Sequence, residues 1–313
     1  MADPRIAVVG ATGAVGEVAL ALLAERGFAN VRAFASARSA GGRVAFGDGE
    51  LTVEEATAES LGGDLDVCFF SVGTDASREL VPPAAAGGAV CVDKSSAFRL
   101  TEGVPLVVPE ANGERALDHS GIVANPNCST IQLVCLLKPL HEAAGLARVR
   151  VSTYQSASGA GRASVERLHE QSSAAGNVVM DWEFEGDESE EESKLRAETR
   201  KILELHDLPL SATCARVPVA VGHSQAIWIE TERPLEPGEA REVLEAAPSV
   251  RVAECPTAKD AAGGDEVLVG RIRRDAAGDG LVLWGVCDNL RKGAALNAVQ
   301  IAELLLARQA LAA

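Results

Sequence analysis

Arg5-Ile6-Ala7-Val8-Val9-Gly10-Ala11-Thr12-Gly13-Ala14-Val15-Gly16 is the stretch that decides the fold. Arg5 to Val9 reads as a short β-branched strand, the glycines as a turn, and Val15 to Arg26 as a helix closed by Gly27. Strand, glycine turn and helix is the context of a dinucleotide fingerprint. The glycines let the backbone approach a pyrophosphate, which then sits on the helix N-terminus. An ordinary tight turn is the plainer alternative, but a turn with both flanks in place favours the nucleotide. Gly10, Thr12, Gly13, Ala14 and Val15 are the candidate cofactor contacts.

Outward from this unit, Asn30 to Ala35 is a second strand that ends in Ser36-Ala37-Arg38-Ser39. An NAD site places an acid there for the ribose 2′-hydroxyl, whereas an arginine suits a 2′-phosphate. No acid is present, so the position favours NADP, with a solvated loop arginine as the alternative. Arg43–Phe46 and Leu51–Val53 form a hairpin around Gly47-Asp48-Gly49. Asp66–Gly73 and Ala89–Asp93 read as buried strands separated by a helix over 76–86. This alternation predicts a parallel, doubly wound sheet. Lys94 to Arg99 follows a strand's C-terminal end, where such sheets hold ligands. Arg99 is either a surface charge or a ligand for phosphate.

The length of 313 residues suggests two domains at about 150 residues each. A formal net charge of −16 argues against a nucleic-acid surface. No apolar run is long enough for a membrane span, and Met1 to Arg5 enters a strand without a signal-like apolar core. A cytoplasmic protein is expected. The seven cysteines, at 68, 91, 128, 135, 214, 255 and 287, include no Cys-x-x-Cys pair, so no metal site is expected. Cys68, Cys91, Cys135 and Cys287 sit in apolar surroundings and read as core residues.

Cys128 differs. It lies in Ala124-Asn125-Pro126-Asn127-Cys128-Ser129-Thr130, between a strand-like Gly121–Ala124 and an apolar helix beginning at Ile131. At the first turn of a helix, free N–H groups and the dipole favour a thiolate. A cysteine more often packs as a small hydrophobe. The polar neighbours Asn127 and Ser129 weigh against that, and both readings stay open on position alone.

After this helix, Arg148–Gln155 alternates like a strand with one wet face and runs into Ser156-Ala157-Ser158-Gly159-Ala160-Gly161. That glycine-bearing run suits close backbone approach to a ligand. Glu183–Glu192 (EFEGDESEEE) is strongly acidic and reads as a solvated surface loop, with a helix resuming over 193–205. Ser211–Val219 and Ser224–Glu230 are alternating strands with Gly222-His223 between them. His119, His141, His169 and His206 fall in polar or helical surface contexts; His223 alone sits at a strand–turn junction near an arginine-bearing strand. It is either a turn histidine or an acid/base residue. Two later strands, 266–272 and 280–286, precede Asp288-Asn289-Leu290-Arg291-Lys292-Gly293 and an apolar helix ending near Ala310.

Taken in order, GATGAVG, SARS, SSAFR, ANPNCST, YQSASGAG, ESKLRAETRKIL, ATCARVPVAVGHS, GRIRRD and DNLRKGAALNAVQIAELL resemble the aspartate-β-semialdehyde dehydrogenase family over nearly the whole chain. The Pro-Asn-Cys-Ser-Thr segment separates it from N-acetyl-γ-glutamyl-phosphate reductases, where Pro-Gly-Cys-Tyr-Pro is typical.

The resemblance implies reversible conversion of aspartate semialdehyde, phosphate and NADP to aspartyl phosphate and NADPH. It would serve lysine (through diaminopimelate), methionine and threonine biosynthesis. By position, Cys128 is the nucleophile that forms an acyl-thioester, His223 the acid/base residue, Gln155 the side chain orienting the reacting group, and Asn127 the residue preceding the nucleophile. Arg216 would bind the substrate carboxylate, Glu191 its amino group, and Arg99 and Lys194 phosphate. Ser36, Arg38, Ser39, Ser71, Ser158, Gly159 and Asn289 would join the cofactor set.

The implied fold is α/β. An NADP-binding Rossmann domain takes residues 1–127 with 291–313, and a catalytic and dimerisation domain takes 128–290. The latter would resemble that of glyceraldehyde-phosphate dehydrogenases, with a mixed, mostly antiparallel sheet and an outer face that supports a homodimer. Cys128 would face the nicotinamide. The chain departs from the family between Ser164 and Ser193, where a Phe-Asn-Val-Ile-Pro region is reduced to Gly176-Asn177-Val178-Val179-Met180. That puts the interface and cofactor affinity in question. Two other readings are an enzyme reducing N-acetyl-γ-glutamyl phosphate and a non-catalytic NADP-binding paralogue.

Overall fold

A computed structural model describes residues 3–161, 164–166 and 177–312, the side chains of 309–312 excepted. His169 and Gly176 lie outside the described residues. The chain divides into two compact units, Met1–Pro126 with Ala294–Ala313, and Asn127–Gly293.

The first unit carries a seven-stranded sheet in the order β3-β4-β2-β1-β5-β6-β7. The strands are β1 Ile6–Val9, β2 Val31–Ala35, β3 Arg43–Phe46, β4 Gly49–Glu55, β5 Val67–Phe70, β6 Val90–Asp93 and β7 Ile122–Ala124. Every neighbouring pair is parallel except the β3–β4 hairpin. From β1 the chain moves to β2 on one flank and returns to β5 on the other, so the strand order reverses at β1. Open parallel sheets leave a ligand crevice at such a reversal.

The β-branched strands alternate which layer they feed. Ile6 and Val8 join Leu20, Leu23, Val299 and Ile301 on one face, while Ala7 and Val9 join Phe34, Leu61, Phe70 and Val81 on the other. Each large aliphatic side chain so buried contributes about 1.5–3 kcal/mol. The Leu296–Ala312 helix thus belongs to the first unit, and Asn297 pins it by donating to Val107 O at 3.0 Å and Asn125 Oδ1 at 2.7 Å.

The second unit is built on a six-stranded sheet in the order β11-β8-β12-β15-β14-β13. Its strands are β8 Leu146–Gln155, β11 Leu210–Arg216, β12 His223–Thr231, β13 Val250–Val252, β14 Val267–Arg274 and β15 Leu281–Cys287. The two outer pairs are parallel and the three inner pairs antiparallel, which makes the sheet mixed and mostly antiparallel. The Cys128–Ala144 helix packs across it, and Ser129 to Leu137 is buried without a break. On the opposite face, the Tyr154 and Trp284 rings lie 5.6 Å apart, and Tyr154 is exposed.

One expectation is corrected here. The acidic run 183–192 is no solvated loop along its whole length. Phe184–Glu185 and Glu188–Ser189 (β9 and β10) pair as a short hairpin, and a helix starts at Glu190 and runs to Leu203. Ser189 and Glu192 form a capping box that satisfies the first free N–H groups of this helix. Glu191 and Glu192 are buried as a result. Composition pointed to solvent; a cap turned two of the acids inward.

Candidate active site

Register, rather than proximity in sequence, assembles the second unit's polar cluster. Gln155 ends β8 and Arg216 ends β11, and the two are paired neighbours across parallel strands. His223 begins the antiparallel β12, opposite Cys287 at the end of β15. Gln155, Arg216 and His223 therefore share one end of the sheet.

Cys128 is the first residue of its helix, and Asn127 caps it by accepting from Ser129 N at 2.8 Å. Two carboxylates on one helix hold this cap. Glu198 Oε2 accepts from the Asn127 backbone N–H at 2.7 Å, and Glu191 Oε1 accepts from Asn127 Nδ2 at 3.0 Å. Glu191 Oε1 also accepts from Gln155 Nε2 at 2.8 Å, joining the cysteine's turn to the end of β8. The three consecutive glutamates are thereby sorted. Glu190 pairs with Lys194, Glu191 faces Asn127 and Gln155, and Glu192 caps its helix and accepts from Cys214 N. Opposite the cap, a Cβ on Gly293 would stand 3.1 Å from Cys128 Cβ, so Gly293 packs directly on the cysteine.

His223 is wholly buried. Its Nδ1 accepts from the Ser156 backbone N–H at 3.0 Å, with Ser156 Oγ 3.1 Å from the same atom. Ser156 Oγ donates to Asn289 Oδ1 at 2.9 Å, and that oxygen also accepts from Gly222 N at 2.9 Å and from Ser158 Oγ at 3.2 Å. Asn289 is thus the hub of the shelf that seats the imidazole. Nε2, the other ring nitrogen, has no hydrogen-bond partner among the described residues. Burial first, and the nearby Arg216 charge second, push the His223 pKa down to about 3, so the ring is neutral near pH 7.

A Cβ built on Gly159 would lie 3.1 Å from both His223 Cε1 and Nε2 and 3.4 Å from Arg216 Nη1. Glycine there leaves the imidazole edge and the guanidinium clear. Arg216 donates from Nη1 to Ser156 O at 3.0 Å and from Nε to Asp181 Oδ1 and Oδ2 at 3.0 and 2.9 Å. Trp182 lies under the guanidinium at 4.8 Å.

Arg99 belongs to the first unit, buried, donating to Asn125 O at 3.1 Å and Lys94 O at 2.6 Å. Lys194 is half-buried on its helix beside Glu190. In the glycine turn, Gly10 has φ +87°, and a Cβ there would come within 2.3 Å of Ser71 O. A Cβ on Gly16 would come within 2.1 Å of Gly10 O. Gly13 precedes the Ala14–Glu25 helix with no side-chain cap, so its leading N–H groups are presented as an anion cradle. Thr12 and Val15 are half-buried beside it, and Ser36 and Arg38 are exposed beyond β2, with Ser39 half-buried.

Sequence reading missed Glu198, Asp181 and Trp182. Glu191 and Glu198 are seven apart and so share a helix face, a periodicity that marks both as inward. Asp181 and Trp182 carry no such signal.

Two family models match the chain: the semialdehyde dehydrogenase NAD-binding domain over residues 5–119 and the semialdehyde dehydrogenase dimerisation domain over 137–292. The aspartate-semialdehyde dehydrogenase of Aquifex aeolicus is 46% identical, with 96% of this chain and 97% of that one covered. The chain belongs to the aspartate-semialdehyde dehydrogenase family. Among solved structures of the family, aspartate semialdehyde dehydrogenase II of Vibrio cholerae, complexed with ASA, superposes with a TM-score of 0.93 at 37% identity, covering 98% and 99% of the two chains. The Candida albicans enzyme with NADP superposes with a TM-score of 0.79 at 27% identity, covering 98% and 99%. The family is one of oxidoreductases with a nicotinamide-binding domain, and the two-unit α/β architecture is the family's own.

Proposed function

We propose that this chain is an NADP-dependent aspartate-semialdehyde dehydrogenase. It interconverts L-aspartate 4-semialdehyde, phosphate and NADP with 4-phospho-L-aspartate, NADPH and a proton, in the cytoplasm, on the route to lysine, methionine and threonine. One observation carries the reading. A buried imidazole nitrogen with no hydrogen-bond partner among the described residues stands, near Arg216, within 3.1 Å of where a Cβ on Gly159 would lie. A buried polar atom is almost always satisfied, so a ligand oxygen belongs there.

The roles follow from chemistry. Cys128, at a helix N-terminus that favours its thiolate, adds to the aldehyde carbon and later leaves from the thioester when phosphate attacks. Gln155 and Asn127, braced on Glu191, fix the reacting group relative to the thiol. Glu191 retains acceptor capacity for the substrate ammonium group, and Arg216 presents a planar fork to the substrate carboxylate. Arg99 and Lys194 supply the cations for phosphate. His223 Nε2 meets the oxygen of the reacting carbon. Because Nδ1 accepts from Ser156 N–H, the ring begins with its proton on Nε2, as a donor to that oxygen. It acts as an acid by sharing the Nε2 proton with the oxyanion formed when the thiolate adds, and as a base by taking that proton back fully as the hydride leaves.

NADP, when bound, accepts the hydride released as the thioester forms. Gly10, Thr12, Gly13, Ala14, Val15 and Ser71 would form the pyrophosphate cradle, with Ser158, Gly159 and Asn289 on the nicotinamide side. Ser36, Arg38 and Ser39, with no acid among them, suit the 2′-phosphate. The sheet face carrying Tyr154, Trp228 and Trp284 supports a homodimer, in keeping with aromatic enrichment at interfaces.

The test is NADPH absorbance on mixing protein, aspartate semialdehyde and NADP, with and without phosphate. Phosphate-dependent NADPH formation is expected. Cys128→Ala should abolish it while retaining NADP binding. Appreciable phosphate-dependent turnover by that variant would remove the cysteine from the mechanism, and a silent wild type that still binds NADP would shift the reading to the sister acyl phosphate or a non-catalytic paralogue.

A further inference from the structure

Arg216 is not presented bare. The segment that precedes the β9–β10 hairpin docks on its strand: Val179 N donates to Arg216 O at 3.0 Å, and Arg216 N donates to Val179 O at 2.8 Å. This places Asp181 and Trp182 on the guanidinium, the first at Nε and the second beneath the plane at 4.8 Å. The Arg216 side chain is only 11% exposed, against 43% for Asp181.

We propose that Asp181 is a positioning residue for substrate specificity: it holds Arg216 by Nε so that the terminal nitrogens stay directed beside His223 at Gly159. The inference rests on the reading of Arg216 as the ligand of the substrate carboxylate.

The geometry gives the reason. A guanidinium offers five N–H donors in a rigid fork, and three independent contacts fix its orientation. Asp181 takes the Nε side, Ser156 O takes one hydrogen of Nη1, and Trp182 covers a face. On this reading the edge between Nη1 and Nη2 takes a two-pronged carboxylate, and Nη1 and His223 Nε2 converge on Gly159, where a Cβ would stand 3.4 and 3.1 Å from them. Stability does not account for the pair. A half-exposed ion pair contributes only about 0–1 kcal/mol, and Asp181 is close to that class. What it supplies is aim. Without it, a long side chain with several rotatable bonds would have to be ordered by the substrate at each binding event, and the affinity would fall accordingly.

Steady-state kinetics with two aldehydes test it: aspartate semialdehyde, which bears the carboxylate, and 3-aminopropanal, which lacks it. The measured quantity is the ratio of kcat/KM values. Asp181→Ala should lower this ratio about tenfold, through KM for aspartate semialdehyde, the loss expected for one hydrogen bond to a charged group. Asp181→Glu should restore part of the ratio, and added formate should restore part of it in Asp181→Ala. An unchanged ratio in Asp181→Ala, or equal losses for both aldehydes, would overturn the proposal. A lower KM for aspartate semialdehyde would also overturn it, by making Asp181 a competitor for Arg216. If the wild type itself does not distinguish the two aldehydes, the Arg216 reading fails first, and that outcome is separable because it appears before any substitution is made.

Discussion

The backbone N–H of Ser156 donates to Nδ1 of His223 at 3.0 Å, and this one bond puts the proton of the neutral ring on Nε2. A main-chain donor cannot rotate away or titrate. The neutral imidazole is therefore set by the fold as a donor at Nε2.

Ser156→Ala tests how the ring is seated. The variant keeps the main-chain bond but removes Oγ, which lies 3.1 Å from Nδ1 and ties the ring's seat to Asn289 Oδ1. Binding of aldehyde should be nearly unchanged, while the hydride-transfer step should slow by about tenfold, the scale of one lost hydrogen bond. Single-turnover NADPH formation measures this directly. Equal rates in both proteins would show that the Oγ link does not position the imidazole.

The depressed His223 pKa also carries a stability consequence. A histidine titrating near 6.5 when unfolded and about 3 when folded binds more protons in the unfolded state between these values. Stability from this group is fully present above pH 6.5 and is lost as pH falls toward 3. From pH 7 to pH 5 the loss is about 2 kcal/mol by linkage, an order-of-magnitude figure. His223→Gln should show a correspondingly flatter dependence of denaturant midpoint on pH over that interval. Parallel slopes for the two proteins would contradict it.

Glu198 supplies a third prediction. Glu198 is 1% exposed, and its carboxylate accepts the Asn127 backbone N–H just before Cys128. Glu198→Ala leaves that N–H without its acceptor and loosens the turn that aims Cys128. The expected cost is about 1–3 kcal/mol in stability. Alkylation of Cys128 by iodoacetamide, followed by mass spectrometry, should slow as well. Unchanged stability and an unchanged alkylation rate would reduce Glu198 to an incidental neighbour.

These residues show where sequence reading reaches and where it stops. The doubly wound sheet was legible because β-branched runs, glycine turns and amphipathic helices each report local geometry. Gln155 and His223 were named, but their meeting at one end of the second sheet depends on the β8–β12 register, which no local pattern encodes. Glu191 was named through resemblance to the family, and the surrounding acidic composition was misread as solvent-facing until the Ser189–Glu192 cap turned it inward. Asp181 was invisible for a physical reason. Its partner is 35 residues away, and its position depends on a single pair of main-chain bonds to an edge strand.

Gly159→Ala separates fold from function most sharply. Gly159 does not have the positive φ that would demand glycine, so its backbone admits alanine. The new methyl group, however, would stand 3.1 Å from His223 Nε2 and 3.4 Å from Arg216 Nη1, close enough that the buried ring must give way slightly, in the space the substrate is proposed to occupy. The variant should melt at or slightly below the wild-type temperature while kcat/KM for aspartate semialdehyde falls by about a hundredfold, the scale of a misplaced reacting group. A variant of full activity would mean that the substrate lies elsewhere, and the buried Nε2 would then need a different partner.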